Sequence, residues 1–87
     1  MLLYAVMTPT DHAGLQAALN THFPDNYLKV GTGQYIVAAK TTVVEVSNIL
    51  GISNAINGTG IVVGISGYFG RTSQNIWEWM AAKGSTV

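Results

Sequence analysis

The chain contains no cysteine, which excludes disulfides, thiolate metal sites and cysteine nucleophiles and leaves the redox compartment open. It is also short of charge: Lys29, Lys40, Arg71 and Lys83 stand against Asp11, Asp25, Glu45 and Glu78, 9% of the residues, where about 25% is usual in soluble domains. Net charge is zero. Four scattered cations argue against strong nonspecific nucleic-acid binding, which draws its affinity from Lys and Arg neutralising phosphates. No apolar run approaches the ~20 residues of a membrane span, and MLLYAVM lacks the basic flank of a signal peptide, so a cytoplasmic protein is expected.

What is present is apolar and weakly polar. Hydrophobic residues make up 48% of 87 residues, and Thr, Ser, Asn, Gln and Gly supply most of the polarity. A surface with little self-repulsion favours association, so a homo-oligomer, most simply a dimer, is expected. The length suits one domain spanning 1–87, with a thin core.

Leu2–Met7 is a continuous apolar run of strand length. Thr8 or Thr10 can then cap a helix with Pro9 or Asp11 in its first turn, and Leu15, Ala18, Leu19 and His22 recur at helical spacing. Phe23-Pro24 ends it. Asn26–Val30 and Gln34–Ala39 flank Gly31-Thr32-Gly33 as a β-hairpin. Thr42 and Glu45 form a capping-box pattern ahead of the stripe Val43, Val46, Ile49, Leu50, with Gly51 as the stop, although the β-branched valines favour a strand. Ile52–Thr59 reads as a loop, Gly60–Ser66 as a buried strand and Gly67–Ser73 as a turn. Gln74–Lys83 reads as a last helix, with Gly84 ending it and 84–87 a frayed tail. The order β-α-β-β-α-β plus a C-terminal helix predicts an α+β, ferredoxin-like antiparallel sheet backed by two helices.

The only acid–base or metal-capable groups are Asp11, His12, His22, Asp25, Glu45 and Glu78, and no spacing among them gathers three or four ligands. No serine sits in a G-x-S-x-G elbow. No catalytic residue, metal site or cofactor is therefore assigned, and the chain reads as a non-enzyme. Gly64-x-x-Gly67-x-x-Gly70-Arg71-Thr72-Ser73 places a cation and two hydroxyls before a helix N-terminus, which suits an anion; a tight turn with Thr72 or Ser73 as cap explains it more simply. Trp77 and Trp79 are two apart and cannot share a helix face, so Trp77 is assigned inward with Ile76, Met80 and Ala81, and Trp79, with Tyr68 and Phe69, to an interface or to the domain's own surface.

The C-terminal stretch, an apolar strand followed by Gly67-Tyr68-Phe69-Gly70 and Ile76-Trp77-Glu78-Trp79-Met80, resembles the ending of small SinR-like proteins of prokaryotes and their phages. These are similar to the small ferredoxin-like subunit of the CRISPR adaptation complex. The resemblance implies the same fold and a homodimer joined through sheet edges. That family carries an Asp at the end of its first strand as a metal ligand; here the strand ends Val6-Met7-Thr8, and no carboxylate comes before Asp11. The resulting expectation is a small homodimeric interaction module, phage- or mobile-element-associated, that binds a macromolecule. The alternative is a nucleic-acid binder or relic nuclease using Arg71, Lys29, Lys40, Thr72 and Ser73 with strand tyrosines.

Overall fold

The computed structural model describes residues 1–67 and 74–84. Four strands, β1 (Leu2–Met7), β2 (Tyr27–Gly31), β3 (Gln34–Ala39) and β4 (Ile61–Ile65), form one antiparallel sheet in the order β2-β3-β1-β4. Three helices accompany it: α1 (Ala13–His22), α2 (Val43–Ile49) and α3 (Gln74–Gly84). Each strand–helix–strand crossover skips one strand: β1-α1-β2 passes over β3, and β3-α2-β4 passes over β1. This is the split βαβ arrangement of an α+β, ferredoxin-like fold.

The period-two alternation of β1 and β3 divides the apolar residues between two faces. Tyr4, Val6, Tyr35, Val37 and Ala39 face α1 and α2, where Leu15, Leu19, Phe23, Val46, Leu50 and Ile52 close over them. Leu3, Ile36 and Ala38 face the other way and are covered by Met80 of α3, with Ile76, Trp77 and Trp79 half-buried around it. The two central strands are thus buried on both sides, as their unbroken apolar runs require. Burying each such side chain contributes about 1.5–3 kcal/mol. No polar or charged residue among those described is buried.

Local chemistry sets the ends of the elements. Thr42 Oγ1 accepts from the Glu45 N–H at 3.2 Å, so the expected cap starts α2 despite its valines. At its far end Gly51, at φ +72°, allows Gly51 N–H to reach the Asn48 carbonyl and Ile52 N–H the Ser47 carbonyl, the paired bonds of a Schellman stop. The start of α1 differs from expectation. His12 is the cap, its Nδ1 accepting from Gly14 N–H at 3.1 Å. Thr8 is engaged elsewhere, with its N–H donating to the Gly33 carbonyl at 2.7 Å and its hydroxyl to the Thr10 carbonyl at 2.8 Å. Thr8–His12 therefore form a link between β1 and α1, and Asp11 lies ahead of the helix.

α3 includes Gly84 as its last residue, one further than its sequence suggests. Its C-terminal turn is tied to the sheet, with Lys83 Nζ donating to Asn26 Oδ1 at 3.0 Å and the Met1 ammonium donating to the Lys83 carbonyl at 3.4 Å. Met80 is the buried residue of this helix, and the two tryptophans flank it, both packed against the domain's own sheet.

Candidate interaction site at the sheet edges

The densest polar cluster is centred on Asp11. Its carboxylate accepts from Lys29 Nζ and from Gly33 N–H, each at 2.7 Å, and from the Tyr35 hydroxyl at 3.4 Å. Gln16 on α1 extends the network by donating through Nε2 to the Tyr27 hydroxyl at 2.6 Å, and that hydroxyl in turn donates to Asn20. Tyr27 and Tyr35 meet edge to face, 6.4 Å between centroids, and Lys29 Nζ lies 6.0 Å from the Tyr35 centroid. The Lys29 hydrogen bond, followed by the Gly33 N–H, holds the Asp11 carboxyl below the usual carboxylate range; the same bond raises Lys29, and burial raises the Tyr35 phenol.

The groups of this cluster satisfy one another. Asp11 neutralises Lys29 and fastens the β2–β3 turn to the link before α1, which makes it a clasp. Gly33 is fixed here by its backbone, since it sits at φ +67° and a Cβ would come 2.2 Å from the Thr8 carbonyl oxygen. No group of three or more His, Asp or Glu that could hold a metal ion occurs among the described residues.

Of the residues singled out for anion or nucleic-acid binding, only Lys29 and Lys40 lie among the described residues, and these two stand apart. Lys29 pairs in register with Tyr35, whereas Lys40 is exposed just past Ala39, five residues along β3 and so roughly 17 Å away. Arg71, Thr72 and Ser73 lie outside the described residues, as do Tyr68 and Phe69 of the expected interface. Trp79, the third interface candidate, is half-buried with Ile76, Trp77 and Met80. His22, Asp25, Glu45 and Glu78 are exposed on separate elements or turns.

The two edges of the sheet differ sharply. β2 carries Lys29, and its register against β3 shifts between Lys29 and Gly31. Charge and bulging are common devices for blocking edge-to-edge pairing. A shallow hollow of about 420 Å³ flanks this edge, lined by Asn20, Pro24, Asp25, Tyr27, Leu28 and Lys29. β4, at the other edge, pairs with β1 in unbroken register from Leu3↔Ile65 to Met7↔Ile61. Its sequence IVVGI has no charge and no proline, and no Asp, Glu, Lys or Arg lies anywhere between Glu45 and Arg71. Ile61 is 56% exposed and Val63 43%, beside Met7 at 45%. An apolar hollow of about 280 Å³ runs along the end of this edge, lined by Leu2, Leu3, Tyr4, Gly64, Ile65 and Ser66.

The apolar run Gly60–Ser66 reads in sequence as a buried strand, but β4 lies at the sheet edge and leaves Ile61 and Val63 on the surface. The missing charge around the strand was the available signal; the strand's place at the edge depends on long-range pairing. No described helix is long and apolar enough to cross a membrane. No protein-family model matches the chain, and no curated protein or solved structure shows significant similarity to it.

Proposed function

We propose that the protein is a non-enzymatic interaction module that works as a homodimer joined through β4. The observation that carries this reading is the contrast between the edges: β2 is charged and irregular in register, whereas β4 is regular, apolar and exposed, with no strand on its outer side among the described residues. An unprotected apolar edge strand offers a row of backbone N–H and C=O groups to any matching strand, and a second copy supplies one at equal concentration. The scarcity of charge and the resemblance to SinR-like proteins support the same reading; the resemblance alone carries the phage or mobile-element association and the binding of a further macromolecule.

Light scattering coupled to size-exclusion chromatography tests it. A dimer is expected at high micromolar concentration, and a mass of one chain throughout would overturn the reading. Because β4 itself carries no charge, the dimer fraction is expected to stay constant between low and moderate salt, unlike a nucleic-acid contact, whose affinity falls steeply with salt.

A further inference from the structure

The β4 edge also specifies how two copies align, an inference that rests on the self-association just proposed. A two-fold axis normal to the sheet pairs identical strands antiparallel and keeps the α1–α2 faces of both copies on one side and the α3 faces on the other. It also places one residue opposite its own counterpart. Within Ile61–Ile65 three residues can occupy the axis while leaving three or more strand residues paired: Val62, Val63 and Gly64.

Side chains separate the three. Gly64 stands in register with Tyr4, and nothing fills the space beside it: a Cβ built there would meet only Tyr4 Cε1, at 3.9 Å. With Gly64 on the axis, glycine faces glycine; with Val62 on the axis, Gly64 faces Gly60 of the other copy. Either way the hollow beside Tyr4 stays empty and only three strand residues of each copy pair. With Val63 on the axis all five strand residues pair, Ile61 meets Ile65, and Val62 stands opposite Gly64. The Val62 isopropyl group then lies over the missing side chain and beside the Tyr4 ring that lines the hollow, the cross-strand contact a glycine in a sheet otherwise lacks.

We infer that two copies pair β4 antiparallel about Val63, with Val62 of each set into the hollow over Gly64 of the other. The rows are apolar on both faces, and no charged residue opposes another across the seam.

Because the chain has no cysteine, single substitutions report the register directly. Directly opposed antiparallel residues have Cα atoms about 4.5–5.5 Å apart, within the ~4.4–6.8 Å that a disulfide spans. Under mild oxidation Val63→Cys is expected to form covalent dimer at least ~tenfold more than Ile61→Cys, whose counterpart in the other copy lies roughly 13 Å away. A mixture of Ile61→Cys with Ile65→Cys is expected to cross-link as the heterodimer. Far-UV circular dichroism of each reduced variant checks that it is folded.

Preferential self-linking of Val62→Cys or Gly64→Cys would overturn the register while leaving the dimer standing. Equal linking at every position would mean random collision and would overturn it too. If no variant links and the wild-type chain scatters as a monomer at high micromolar concentration, the register and the proposed dimer both fall.

Discussion

Individual residues act here mainly by holding junctions. Asp11 secures the β2–β3 turn, and its depressed pKa means that its contribution is present above the ordinary carboxylate value and lost as pH falls through the depressed one. Lys29, raised by the same contact, contributes below its ordinary value and loses that contribution only in strong alkali. The tie is thus whole from about pH 4 to pH 10. Thermal unfolding from pH 2 to pH 7 is expected to show a steeper acid limb for the wild type than for Asp11→Asn. Both side chains are about half-exposed (45% and 46%), so salt should flatten that difference. Gly33→Ala is expected to cost about 2 kcal/mol in urea unfolding, since it adds left-handed strain to a clash with Thr8. Loss of the α2 cap in Thr42→Ala should cost about 1 kcal/mol by the same measurement.

At the scale of elements, much of the fold was readable from short-range chemistry. The Thr42–Glu45 pair overrode the valines to start α2, Gly51 stopped it, and Gly31-Thr32-Gly33 marked the hairpin. The α1 cap was not readable, because Thr8 is diverted by Gly33, a residue 25 positions away in the chain. The edge placement of β4 and the packing of α3 on the sheet's second face also depend on contacts between distant segments, and no local pattern encodes them. For the same reason the sequence points to Trp79 and Arg71 as the interface, while the exposed β4 strand reads as core. α3 covers Leu3, Ile36 and Ala38 with one buried side chain, so Met80→Ala should destabilise the chain by about 2–4 kcal/mol in denaturant unfolding, leaving β4 chemically unaltered.

For the whole molecule, the sheet exposes one closed and one open edge. If the proposed β4 dimer forms, Val63→Lys is expected to give a monomer in light scattering without loss of secondary structure, because Val63 is already 43% exposed and a lysine there can reach water. A dimer that persisted in this variant would move the interface away from β4.

In the proposed dimer the irregularity at Lys29–Gly31 would also set how far assembly proceeds. A sheet with two open edges is a bifunctional monomer and polymerises; a sheet with one is monofunctional, and coupling two of them exhausts the reactive ends. In the proposed dimer the bulged, lysine-bearing strand would act as a chain terminator, holding the stoichiometry at two and keeping a weakly charged protein from growing into fibres.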